Sequence, residues 1–192
     1  MSDVVLIEVP YHLGREHVGL GAGPRPLREA LGGEAVTALA MLTGSGWEAA
    51  RATVEGLRPV PEENVVLVGA RSIDPGEDER LERSGVVLTR NASVSPELDA
   101  LRERAQDVYV HIDLDVLDPA EGKANWWAER GGLTVAQVAH VVDEVASRFR
   151  IRAAALTAYD PRCDPEGRIP LAAAAIARRV QAAVERQKAG VR

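Results

Sequence analysis

The sequence predicts an α/β protein built on an open, mostly parallel sheet of about five strands, in three layers with helices on both faces. Three observations carry that expectation. Short apolar runs alternate with amphipathic segments along the chain, the pattern of successive β-α-β units. The runs themselves, such as Val65-Val66-Leu67-Val68, are apolar without alternation, as strands buried on both faces are. No two runs are joined by a hairpin turn signal.

Taken in order, Val4 to Val9 is a strand that Pro10 ends. A glycine-rich loop, Gly14 to Gly23, follows. Pro24 and Pro26 open a short helix over Leu27 to Leu31, which Gly32-Gly33 stops. Residues 34–43 and Trp47 to Glu55 read as helices. Val65 to Gly69 is the second strand. A helix opens at Asp74-Pro75-Gly76-Glu77 and ends near Ser84-Gly85, ahead of a strand over Val86 to Thr89. Ser95-Pro96-Glu97 has the residue types of an N-cap, an N1 proline and a first-turn acid, so a helix should run to about Arg104. Val108 to Asp113 is a strand. Thr134 caps a helix to about Phe149, with Val135, Val138, Val142 and Val145 on one stripe. Ile151 to Thr157 is the last strand, and a helix over roughly Pro170 to Gln187 closes the chain.

Residues 1–192 fit one domain, large enough to bury a core without staples. A formal net charge of -6 argues against a nucleic-acid surface and against an anionic membrane. Cys163 is the single cysteine, so no intrachain disulfide can form, which suits the cytoplasm. No apolar tract is long enough to span a bilayer, and the first strand lacks the features of a leader. In its polar turn, with no base beside it, Cys163 is not read as a nucleophile.

Chemistry concentrates in His111-Ile112-Asp113-Leu114-Asp115-Val116-Leu117-Asp118-Pro119. Alternation along a strand would put His111, Asp113 and Asp115 on one face, at the carboxyl end where open α/β sheets place ligands. Two carboxylates that close repel unless a cation lies between them or one takes a proton. A hard divalent metal meets that need. The other reading is that the acids cap backbone amides where the strand ends. His111 is a candidate additional ligand, or else a hydrogen-bonded structural residue. His12 and His17 fall in the glycine loop, and His140 falls within a helix. The long loop Asp118 to Gly132 carries Trp126 and Trp127, which would line a pocket or meet another subunit.

The D-x-D-x-x-D-P block at Asp113 to Pro119, followed by Gly131-Gly132-Leu133-Thr134, resembles the ureohydrolase family of arginases, agmatinases and formiminoglutamases. Val9 to Gly14, Gly19 to Pro24 and Leu27-Arg28 are similar to that family's first strand and glycine loop. Val68 to Glu77 is similar to its middle strand and acidic loop, and Tyr159 to Asp164 to its last strand-to-helix turn. The resemblance implies a shortened arginase-like fold and a binuclear manganese (Mn2+) centre that activates water against a guanidinium carbon. It implies metal ligation by Asp113 and Asp115. It also implies that Asp74 and Glu77 contact the amine end of a small guanidino substrate; read from the residues alone, these two acids cap a helix start.

The chain also departs from the family pattern. The G-G-D-H and D-A-H-x-D segments, which supply the other four metal ligands, do not occur. Gly32-Gly33 passes almost directly to Leu39-Ala40-Met41-Leu42-Thr43-Gly44, so the family's middle segment is missing near residues 33–38. The family's substrate-holding glutamate corresponds to Ala158. The expectation is therefore an incomplete binuclear site with weak or no catalysis. The alternative is a manganese-dependent hydrolase of a guanidino or related C–N bond whose partial site a partner chain completes. Removing interior strands should leave a sheet edge that must close up or be covered. The expected strand order is 1-5-4-2-3, in a homo- or hetero-oligomer.

Overall fold

The computed structural model describes residues 4–7, 42–44, 48–71, 73 and 77–189. His12, His17, the glycine loop, the helix over Leu27 to Leu31 and Asp74 lie outside the described residues. The chain divides into two compact units, Met1–Pro10 with Glu62–Arg192, and Tyr11–Pro61. In the second unit, helix α1 (Glu48–Ala52) is followed by a return in which the Val60 N–H donates to the Leu42 carbonyl at 2.9 Å.

Among its described residues the first unit holds five strands: β1 (Val4–Ile7), β2 (Val66–Val68), β3 (Val87–Thr89), β4 (Asp107–Asp113) and β5 (Arg150–Thr157). Its helices are α2 (Glu77–Arg83), α3 (Ser95–Arg102), α4 (Val135–Arg148) and α5 (Arg168–Ala189). Every ladder is parallel, as the sequence predicts. The order is not the expected one. Hydrogen bonding joins β1-β4-β5 in one ladder and β2-β3 in another, so β4, not β5, is the neighbour of β1. The physical reason lies in burial. β4 is buried along most of its length and takes the centre. β5 carries exposed Arg150, Arg152, Ala153 and Ala154, the pattern of an edge.

Val108, Val110 and Ile112 on one face of β4 enter a core with Leu98 and Leu101 of α3, Val138, Val142 and Val145 of α4, and Ile176 and Val180 of α5. Alternation then puts Tyr109, His111 and Asp113 on the other face. The ladder sets Ala153, Ala155 and Thr157 of β5 beside them.

The helix starts show which capping signals hold. Thr134 closes a full capping box: its hydroxyl accepts from the Gln137 N–H at 3.1 Å, and the Gln137 side chain accepts from the Thr134 N–H at 2.8 Å. Replacing Thr134→Ala should cost about 1 kcal/mol in urea denaturation, and no change would refute this assignment. Ser95 behaves differently. It is the first residue of α3, with Val94 as the cap, and its hydroxyl donates to the Glu144 carboxylate of α4 instead. α3 also stops at Arg102, short of the expected Arg104. α5 begins two residues before Pro170, because the Asp164 carboxylate accepts the N–H groups of Arg168 (3.1 Å) and Ile169 (2.9 Å). Among the described residues no helix is long and apolar enough to cross a membrane.

Candidate functional site

β4 ends at Asp113, and the chain turns at once into a 3-10 turn, Leu114–Val116. Asp115 therefore sits on that turn and not on the strand face with His111 and Asp113. The turn is secured by Arg71, whose guanidinium donates to the carbonyls of Asp115, Val116 (3.0 Å) and Gly69 (3.2 Å). The conformational freedom of Gly69 is used here: its φ is +73°, and an added Cβ would lie 2.9 Å from Val116 Cγ2.

Asp113 is fully buried. Its Oδ1 accepts from the Thr157 hydroxyl and lies 3.4 Å from His111 Nε2. Its Oδ2 is buried and has no hydrogen-bond partner among the described residues. His111 is engaged at both nitrogens, with the Tyr109 hydroxyl 2.9 Å from Nδ1 and Thr157 Oγ1 2.9 Å from Nε2. One proton assignment serves the whole row: Tyr109 donates to His111, His111 to Thr157, and Thr157 to Asp113.

Asp115 is held by Asn125, whose Nδ2 donates to Oδ2 at 2.9 Å. Its pKa is pushed up to about 6, first by burial and then by the charge of Asp113, against the pull of Asn125 and Arg71. A buried oxygen without a partner and a second carboxylate raised by desolvation form a donor set suited to a hard cation. The set is small. Among the described residues no three His, Cys, Asp or Glu side chains stand together as a metal cluster.

The third acid of the motif does other work. Asp118 accepts the N–H groups of Ala120 (2.8 Å), Gly131 (2.7 Å) and Gly132 (3.2 Å). These backbone bonds hold its pKa below the usual carboxylate range. It clamps the start of the 118–132 loop to its end, beside the Leu117 to Leu133 bridge.

Glu77 opens α2, and Asp74, its partner in the sequence pattern, lies outside the described residues. Trp126 is 60% exposed, with the Lys123 ammonium 5.3 Å from its ring centroid, and Trp127 is partly buried. His140 is exposed on α4. Burial and the nearby Asp160 charge raise the Cys163 pKa.

Tyr109, Asn125 and Thr157 are the site residues that sequence reasoning misses. Tyr109 and Thr157 could be found only by knowing the β4-β5 register. For Asn125 the signal was its place in a long loop tied to a catalytic-looking motif.

A model of the arginase family matches residues 43–182. An N(omega)-hydroxy-L-arginine amidinohydrolase of Streptomyces lavendulae is 38% identical over 92 residues, covering 47% of this chain and 32% of that protein. An agmatinase of Halalkalibacterium halodurans is 32% identical over 118 residues, covering 60% of this chain and 41% of that protein. The arginase of Bacillus caldovelox superposes with a TM-score of 0.66 at 26% identity, over 74% of this chain and 50% of that one. The chain thus spans half or less of the length of these relatives. The solved arginase shares its α/β fold, and the matched segment takes in β2 to β5, the carboxylate pair and the Gly-Gly-Leu-Thr turn: this chain belongs to the arginase family.

Proposed function

We propose that this chain is a ureohydrolase-type protein that keeps one part of a binuclear metal site and hydrolyses guanidino compounds slowly or not at all. The observation that carries the reading is the isolated carboxylate pair. Asp113 has a buried oxygen without a partner, burial pushes the Asp115 pKa up to about 6, and among the described residues no three His, Cys, Asp or Glu side chains form a group that could hold a metal ion. The missing G-G-D-H and D-A-H-x-D segments support the same reading.

The pair would hold one manganese ion, with water completing the shell, as hard cations accept. A metal so held would supply Lewis-acid polarisation of bound water or substrate. The chain's own contribution is to hold the two carboxylates at the end of β4. His111, a candidate further ligand, is proposed to orient Thr157 and Asp113 through Nε2, its Nδ1 being held by Tyr109. Asp74 and Glu77 are proposed to meet the amine end of a small guanidino compound. An oligomer is proposed to cover β5, which among the described residues is paired on one side only. A monodisperse monomer in solution scattering would remove that element.

The test is calorimetric titration of Mn2+ into chelator-treated protein, with urea release measured from arginine and agmatine. The expected result is one weakly held ion per chain and little or no urea. Two tightly held ions per chain with turnover would overturn the reading and favour a manganese-dependent hydrolase of a guanidino or related C–N bond, its site completed by a partner chain.

A further inference from the structure

Asn125 is 4% exposed, and its amide is fully used. Nδ2 donates to Asp115 Oδ2 and to the Ala158 carbonyl, both at 2.9 Å, and Oδ1 accepts the Trp127 N–H at 2.9 Å. One side chain therefore ties together three segments: the carboxylate turn, the end of β5, and the loop that carries the tryptophans. Beside it the Asp160 N–H donates to the Ala124 carbonyl at 2.8 Å, a second bond between the same loop and the turn after β5.

The Ala158 contact is informative. Ala158 has a φ of 65°, the left-handed region that a residue with a Cβ seldom adopts. Such a conformation persists only where the surroundings impose it. Asn125 holds the carbonyl of that residue and the carboxylate of Asp115 with the same nitrogen.

The effect on the acid pair follows from counting oxygens. Thr157 takes Oδ1 of Asp113, and Asn125 takes Oδ2 of Asp115. Each carboxylate is thereby left with one oxygen not used in these bonds, and that of Asp113 is the buried one without a partner. We propose that Asn125 is a positioning residue for the carboxylate pair, acting with Thr157 so that each acid presents a single oxygen to one divalent cation. This rests on the reading of Asp113 and Asp115 as a cation site and adds the residue that holds Asp115 in place within it. Groups that orient metal ligands in this way typically govern affinity by about 10- to 100-fold.

Two substitutions of opposite sign test it in the full chain, with Mn2+ as the probe and calorimetry and electron paramagnetic resonance as readouts. Asn125→Ala frees Asp115 and should weaken Mn2+ binding at least tenfold. Asn125→Asp keeps the size and the acceptor for the Trp127 N–H, but sets a third carboxylate beside Asp115. It should bind Mn2+ at least tenfold more tightly, with a larger rise in Tm on adding the ion than the parent chain shows. A purely structural asparagine would lower stability in Asn125→Ala and leave its Mn2+ affinity within a few-fold of the parent's. If Asn125→Ala loses its cooperative unfolding transition, Asn125→Leu, which keeps the size and removes the donor to Asp115, is measured in its place and should show the same loss of affinity. Parent protein that binds no Mn2+ at millimolar concentration would sink the cation reading, and this inference with it. Parent protein that binds, with both variants unchanged in affinity, would sink only the role of Asn125.

Discussion

A Gly132→Ala chain should be destabilised by about 3 kcal/mol or more, among the largest single effects expected in this molecule. An added Cβ would lie 2.5 Å from the Asp118 nitrogen, 2.7 Å from the Leu117 carbonyl carbon and 2.7 Å from the Val116 oxygen. All three are backbone atoms of Val116 to Asp118, where the Asp115 turn ends, so no side chain can swing aside to make room. The neighbouring Gly131 is an internal control. Its φ is +82° but nothing lies within 4 Å of an added Cβ, so Gly131→Ala should cost only the conformational strain, about 1 to 2 kcal/mol. Urea denaturation of the two variants side by side measures the difference. Equal losses would show that the close approach across the Leu117 to Leu133 bridge is not what the Gly-Gly pair serves. The Gly-Gly-Leu-Thr signature thus has a local physical meaning. Gly131 and Gly132 give their N–H groups to Asp118, Gly132 admits the opposing backbone, Leu133 enters the core, and Thr134 caps α4.

The second large effect is a pH dependence centred on Asp115. Its folded pKa is about 6, against about 3.9 for an unfolded aspartate. Between those values the folded state binds more protons than the unfolded one, so stability falls as pH rises from about 4 to about 6 and stays lower above that. A shift of about two units corresponds to at most about 3 kcal/mol. Asp115→Asn should abolish that loss. The variant should match the parent near pH 4 and exceed it at pH 7 by roughly 2 to 3 kcal/mol, since an asparagine oxygen can still accept from Asn125. Asp118, Asp143 and Asp160 have lowered values and work in the opposite direction, losing stability as pH falls. They are common to both proteins and cancel in the difference between the two profiles. A variant no more stable than the parent at pH 7 would refute the assignment. Mn2+ should narrow the gap by stabilising the parent, which alone has the ionised pair.

The two tests bear on different parts of one turn. Gly132 controls whether the backbone from Val116 to Asp118 can close against Leu133. Asp115 reports what that closure does to a carboxylate placed beside another. The parent's pH profile also separates a desolvated acid from one that only caps backbone amides, whose pKa would be lowered, as that of Asp118 is.

Much of this was legible in the sequence, and the residues show why. The apolar runs at Val66 to Val68 and Val108 to Asp113 are strands, because their composition suits a surface covered on both sides. Thr134 announced α4, because an N-cap bond is made within four residues of sequence. The D-x-D block marked the candidate site, because two adjacent carboxylates at a strand end have few stable uses. Ser95 misled, because Glu144, 49 residues away in sequence, competes for its hydroxyl.

The sequence by itself therefore determined the α/β class, the parallel strands, the family and the acid pair at Asp113 and Asp115. All of these depend on periodicity, on local hydrogen bonding or on a contiguous motif. Only the tertiary structure decided that β4 is the central strand of its ladder, and that Asp115 leaves the strand face on a 3-10 turn. It alone showed that Asp118 clamps a loop, that Thr157 reaches Asp113, and that Asn125 holds Asp115 and Ala158 together. The reason is distance along the chain. Thr157 is 44 residues from Asp113, and Asn125 is 33 from Ala158. No local propensity records which of several hydroxyls or amides will meet a carboxylate once the strands are in register; the packing of the whole sheet selects it.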